Sequence, residues 1–324
     1  MKQRFLSENM SGIYNMSADK SKNFAAGLTS FSNISGFLTL PLTRDLDDAD
    51  VFVVGVPYDL ATTGRAGTRG GPMAIRQASA HIRWEDKRWP WDFAVFDELR
   101  VADYGDLDAP AGNHEAMLDV IQKQIGGLIA AGKTVLSFGG DHFITLPLLR
   151  AHAEHHGEMA MIHFDAHTDT YEEYDSIYNH GCMFHHAPIE GLIDPNKTIQ
   201  IGIRTEYTKE KHLFQVIDGA EANDLSAASI VERIKTVVGN TPTYLTFDID
   251  CLDPAYAPGT GTPVPGGLTS DKALKIIRGL AGINLVGMDV MEVSPPYDHA
   301  DITGLVGATL ALEMLHVLAM KGKR

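Results

Sequence analysis

"MAMIHFDAHTDTY", residues 159–171, is the stretch that decides the fold. Met159 to Ile162 are apolar without a break, and then Asp165, His167 and Asp169 stand at every second position. A strand with one wet face alternates, whereas a strand covered on both faces is apolar throughout. The run therefore predicts a buried parallel strand, and the three chargeable residues mark the end where it emerges. In extended geometry positions i, i+2 and i+4 point the same way, so the three are expected to form one array. His163 shares that parity one step deeper, where a core or supporting role is expected over direct ligation.

The same pattern recurs along the chain. "VFVVGV" (51–56), "TVLSF" (134–138), "TIQIGI" (198–203), "TYLTF" (243–247) and "INLVGMDV" (283–290) are further candidate strands. Between them lie helical patterns such as "HEAMLDVIQKQIGGLIAAG", "ITLPLLRAHAEHH", "AASIVERIKTVVG" and "SDKALKIIRGLAG", with Gly132 and Gly239 where helix C-caps belong. Alternating strands and helices predict an α/β fold, a single doubly wound parallel sheet with helices on both faces. No repeat or low-complexity linker divides the chain. The expected organisation is a polar N-terminal arm over 1–36 and one catalytic domain over 37–324. "APGTGTPVPGG" (257–267) is read as a shaped loop.

Composition narrows the function classes. The 324 residues are 44% hydrophobic and 21% charged, which is ordinary for a globular protein. No run approaches the roughly 20 apolar residues of a membrane span, and the first twenty residues lack the apolar core of a secretory signal. A net charge of −15 disfavours nucleic acid and favours small cations as ligands. Cys182 and Cys251 are too few for a disulfide framework, so a reduced, cytoplasmic setting is expected. His152, His155 and His156 are read as a solvated helical face.

The chemistry lies in the residues just past the strands. "TVLSF" leads to Gly139-Gly140-Asp141-His142, "TYLTF" to Asp248-Ile249-Asp250, and "INLVGMDV" to Met291-Glu292. Ligand sites of open α/β sheets gather at the carboxyl ends of strands, so these motifs are expected to meet Asp165, His167 and Asp169 in one crevice. Singly, an Asp-x-Asp after a strand is most often a cap or turn; three such motifs, each at a strand end, are not explained that way. Crowded carboxylates without cations would repel and stay protonated. Two divalent ions bring +4 against the −4 of four aspartates, with His142 and His167 as neutral imidazoles. A donor set rich in carboxylate and free of thiolate suits Mn²⁺, and two ions roughly 3.5–4 Å apart can activate a shared water near neutral pH.

"GGDH" (139–142), "DAHTDTY" (165–171), "FDIDCLDPAYAPGTGTPVPGG" (247–267) and "MEVSPPYD" (291–298), in that order, resemble the ureohydrolase (arginase/agmatinase) family. These are binuclear manganese enzymes that hydrolyse guanidines to an amine and urea. "GRAGTRGGPMAIRQ", "LSFGGDHFITLPLLRAH" and "IGIRTE" look most like the bacterial agmatinase branch. The resemblance implies that His142, Asp165, Asp169 and Asp248 hold one ion, and that Asp165, His167, Asp248 and Asp250 hold the other. It further implies that Asp169 orients the activated water, that His180 in "YNHGCMF" shuttles a proton, and that Glu292 holds the guanidinium by a bidentate contact. A homo-oligomer, trimer or hexamer, is implied by family likeness alone.

The segment "YEEYDSIYNHG" (171–181) contains Glu172, Glu173 and Asp175 and no Lys or Arg. An acidic, tyrosine-bearing rim suits a terminal ammonium, which favours agmatine, giving putrescine and urea, over guanidinobutyrate or another guanidino acid. An inactive metal-binding homologue would be marked by loss of a ligand, of His180 or of Glu292, and all are present.

Overall fold

The computed structural model describes residues 36–108, 112–172 and 178–321. Each continuous apolar run forms a buried strand, and eight strands join in one sheet: β1 (Val51–Val56), β2 (Val101–Asp106), β3 (Thr134–Gly139), β4 (Met159–Phe164), β5 (Ile193–Ile203), β6 (Gln215–Asp218), β7 (Thr243–Asp248) and β8 (Leu285–Met291). The order is β2-β1-β3-β8-β7-β4-β5-β6 and every pairing is parallel. The four strands whose ends carry acid and histidine motifs, β3, β8, β7 and β4, are thus consecutive at the centre.

The parity of the strands sorts their side chains into two cores. Val51, Val53, Ile162, Phe164, Leu245 and Phe247 face one side, where they meet Ile75, Ile230, Ile234, Ile276 and Leu315 from helices. Phe52, Val54, Val135, Met161 and Val286 face the other, against Ile121, Ile125, Leu148 and Phe184. Each fully buried aliphatic or aromatic side chain contributes about 1.5–3 kcal/mol. The result is the predicted three-layer α/β sandwich. The anticipated helices are His114–Ala130, Thr145–His156, Ala227–Val238 and Ser270–Gly279. Gly132 and Gly239 follow the helix ends with φ +76° and +56°, the left-handed region that stops a helix.

Three expectations need correction. The edge strands β2 and β6 went unpredicted: an edge has one neighbour and partial solvent, so "VADYGD" and "QVID" need no continuous apolar run. The helix Ile302–Ala319 is long and apolar enough to pass for a membrane span, although Glu313 and His316 interrupt it, and 89% of it is buried within the protein. Its Glu313 accepts from Trp91 Nε1 at 2.7 Å and Arg278 at 2.5 Å, tying three segments together. His152 is not on a solvated face. It is fully buried, 4.9 Å from the Tyr244 ring, with Nδ1 against Leu148 O. Of the arm over 1–36, only Gly36 lies within the described residues.

Candidate metal centre and active site

Turns at the ends of the central strands aim the side chains. After β3 the chain reverses at Gly140, φ +59°, where a Cβ would lie 2.6 Å from Val56 O and 2.7 Å from Tyr58 O. This close approach delivers His142. After β4 the chain does not remain extended, contrary to the array read from spacing. Asp165 Oδ1 accepts the His167 backbone N–H at 2.6 Å, which bends the chain, and Asp169 is left-handed at φ +52°. Asp248 likewise accepts the Asp250 N–H at 2.7 Å. Glu292, after β8, is left-handed at φ +63°. Non-glycine residues in this region are held there by their surroundings, commonly at functional sites.

The six predicted metal ligands come together. His142 Nδ1 faces Asp165 Oδ2 at 3.1 Å, Asp169 Oδ2 at 3.1 Å and Asp248 Oδ2 at 3.3 Å. His167 Nδ1 faces Asp165 Oδ1 at 3.3 Å and Asp250 Oδ2 at 3.0 Å. The donor atoms of His142, His163, Asp165 and Asp169 lie within 4.8 Å of one another, as do those of Asp165, His167 and Asp250. Asp165 belongs to both groups, as its two oxygens allow. Asp248 contacts the His142 group; its place in the second group stays with the resemblance.

The chemistry of this donor set fits cations. His142 Nε2 lies 2.8 Å from Thr246 Oγ1, whose hydroxyl donates to Asp289 Oδ1 at 2.6 Å. Asp289 also accepts from Tyr244 Oη and Thr145 Oγ1. The threonine proton is thus committed, so His142 carries its proton on Nε2 and turns a lone pair on Nδ1 toward three carboxylate oxygens. That contact is repulsive unless a proton or a cation stands between. Among the described residues, the ion-pair partners of Asp165, Asp169, Asp248 and Asp250 are histidines only.

Without ions, protons fill the gap. Burial raises Asp169, with the charge of Asp165 adding to it, up to about 7. Burial, then Asp250 and Asp165, pushes Asp248 well above the carboxylate range. Burial opposes a charge on His167, but Asp250 and Asp165 outweigh it and hold the imidazole up to about 12. Divalent ions would take the place of those protons.

Beside the cluster lies a second pair. Glu292, fully buried, accepts from the His142 N–H at 2.9 Å and from His180 Nδ1 at 2.8 Å, both on Oε1. Its Oε2 is buried and has no hydrogen-bond partner among the described residues. A Cβ added to Gly261 would come within 3.7 Å of that oxygen and 3.1 Å of Arg65 O. The missing side chain leaves a slot in front of a free carboxylate oxygen. Burial lowers His180, yet Glu292 outweighs it and brings it up to about 9. Thr63 covers the other ring nitrogen, its N–H at 3.1 Å and its hydroxyl at 2.9 Å from Nε2. The N–H serves a neutral ring and the hydroxyl oxygen a cationic one, so both protonation states have a partner.

Several of these residues were not foreseen. Thr63 sits on a loop held by Asp59, which pairs with Arg69 and accepts from Gly67 N at 2.8 Å, and by Asp141, which accepts from Ala61 N at 2.9 Å. Thr246 and Asp289 had a usable signal: polar residues inside continuously buried strands require buried partners. Neither Cys182 nor Cys251 forms a disulfide, and both are buried. Of the acidic rim, Glu172 is exposed, and Glu173 and Asp175 lie outside the described residues.

Comparison with known proteins agrees with this architecture. The arginase family model matches residues 49–316. An agmatinase of Edwardsiella ictaluri (strain 93-146) is 58% identical over 292 residues, 90% of this chain and 95% of that relative. A crystal structure of a hypothetical agmatinase from Burkholderia thailandensis superposes with a TM-score of 0.86 at 46% identity, covering 90% of this chain and 92% of that one. Proclavaminate amidino hydrolase from Streptomyces clavuligerus also gives 0.86, at 39% identity, covering 90% and 99%. Matched over most of its length in sequence and in fold, the chain belongs to the arginase family and is a ureohydrolase.

Proposed function

We propose that the protein hydrolyses agmatine to putrescine and urea at a centre holding two Mn²⁺ ions, as a step that supplies polyamines. His142, Asp165, Asp169 and Asp248 hold one ion, and Asp165, His167, Asp248 and Asp250 the other. When bound, the ions supply a water activated at neutral pH and stabilise charge developing on the substrate. The remaining work falls to the chain's own residues. Glu292 Oε2, buried beside His142 and His180 and unpartnered among the described residues, is the observation that carries the reading: it accepts a guanidinium N–H and balances its charge. Asp169 orients the water. His180, carrying a proton on Nδ1 against Glu292 and open to either state at Nε2, delivers a proton to the departing nitrogen.

Agmatine is preferred over guanidino acids on two grounds. The relatives named agmatinase stand at 57–58% identity, and the rim sequence is acidic. A guanidino acid would need a cation at its far end. Arg65, on the loop that carries Thr63, is a candidate, but its guanidinium lies over the Tyr297 ring at 5.1 Å. The chemistry is tested with Glu292→Gln, which keeps the shape and removes the charge. Urea release from agmatine should collapse while metal content stays at the parental value; parental turnover would remove Glu292 from the site.

A further inference from the structure

Beneath the ligands a polar row crosses the middle of the sheet in register. Asp289 on β8 pairs with Thr246 on β7, Thr246 with His163 on β4, and His163 with Gln200 on β5. All four are fully buried, where apolar residues would avoid the cost of desolvation. The Asp289–Thr246 half holds His142 through its Nε2. The other half leads to Asp165, and its donors all run one way. Gln200 Nε2 donates to Thr168 O at 2.7 Å, which fixes the orientation of the amide. Gln200 Oε1 then accepts from His212 Nε2 at 2.6 Å, and Gln200 Nε2 donates to His163 Nδ1 at 2.8 Å. His163 must therefore carry its proton on Nε2, which donates to Asp165 Oδ2 at 2.7 Å.

These donors fix the carboxylate shared by both clusters. Asp165 Oδ1 is held by the His167 N–H and Oδ2 by the His163 N–H, so each oxygen is oriented by one donor and keeps lone-pair capacity for one ion. His163 lies within reach of the first cluster, but to ligate it would need the lone pair of a nitrogen that Gln200 obliges to hold a proton. Resting on the two-ion centre of the proposed function, we propose that His163 and Gln200 are positioning residues that orient Asp165 and so set the affinity for divalent ions, and that His163 is not itself a ligand.

The test measures binding, not turnover. Mn²⁺ is titrated into the metal-free parent, Gln200→Leu and His163→Phe in competition with a chelating indicator. Two ions per chain are expected in all three, with Kd raised roughly 10–100-fold in both variants. A parental Kd in either variant overturns the proposal. So does the loss of one ion in His163→Phe alone while Gln200→Leu binds like the parent, since His163 would then be a ligand. His212→Ala, at the partly exposed end of the hydrogen-bonded row, spares the core should the buried variants not fold; it is expected to weaken binding in the same direction, and a parental Kd there counts against the proposal. A parent that takes up no divalent ion would instead defeat the metal-centre reading and this inference with it, an outcome distinct from the others.

Discussion

Gly261 offers the sharpest test of how the substrate is held. Its Cα lies where a methyl group would stand 3.7 Å from Glu292 Oε2 and 3.1 Å from Arg65 O. Neither contact unfolds the loop: the first is ordinary van der Waals distance, and the second asks for a shift of a few tenths of an ångström. A guanidinium nitrogen, however, must come within about 2.9 Å of Oε2 to hydrogen-bond, and a methyl 3.7 Å away occupies its approach. Gly261→Ala should therefore cost the charge-assisted hydrogen bond to Glu292, about 1.5–3 kcal/mol. That corresponds to a fall of roughly 10- to 150-fold in kcat/KM. Urea release is followed across agmatine concentrations, with manganese content and melting temperature matched to the parent. A kcat/KM within twofold of the parent, in folded and metal-loaded protein, would refute the slot in front of Glu292.

Other consequences can be checked independently. His142→Ala and Asp250→Ala should each lose metal together with most activity, measured as ions per chain beside urea release; unaffected turnover would remove the residue from the site. In the metal-free protein Asp169 is held near 7 against about 3.8 when unfolded, so its contribution is fully present below pH 4 and is lost as pH rises through 7. Divalent ions displace that proton, so manganese binding should release more protons at pH 6 than at pH 8 in an unbuffered pH-stat titration. Binding without proton release would contradict the assigned cluster. Thr269 accepts the Lys272 N–H at 3.1 Å as the N-cap of Ser270–Gly279, and Thr269→Ala should lower stability by about 1 kcal/mol by denaturant unfolding, with activity unchanged.

How much of this was legible in the sequence depended on where each residue sits. Central strands such as "MAMIHF" declare themselves because burial on both faces demands an unbroken apolar run, whereas "QVID" at the edge is under no such demand. The candidate ligands were legible as types at strand ends, since crowded Asp and His have few other uses. Their geometry was not. Spacing suggested an extended array, while the actual convergence comes from Asp165 bending its own chain and from Asp169 in the left-handed region. Contacts between distant segments, such as Thr63 on His180 or Gln200 on His163, depend on strand order, which local sequence does not carry. The resemblance singled out Glu292, but only the fold shows that one of its oxygens is already committed to His142 and His180 and the other is free.

The proposed manganese-dependent cleavage of a guanidine with a cationic far end is the claim on which everything else rests. It is read from urea release with agmatine, guanidinobutyrate and arginine, each with and without added Mn²⁺. Release should be fastest from agmatine and should be lost when manganese is withheld from metal-free protein. Faster release from guanidinobutyrate would contradict the substrate assignment, and full activity in metal-free protein would contradict the mechanism.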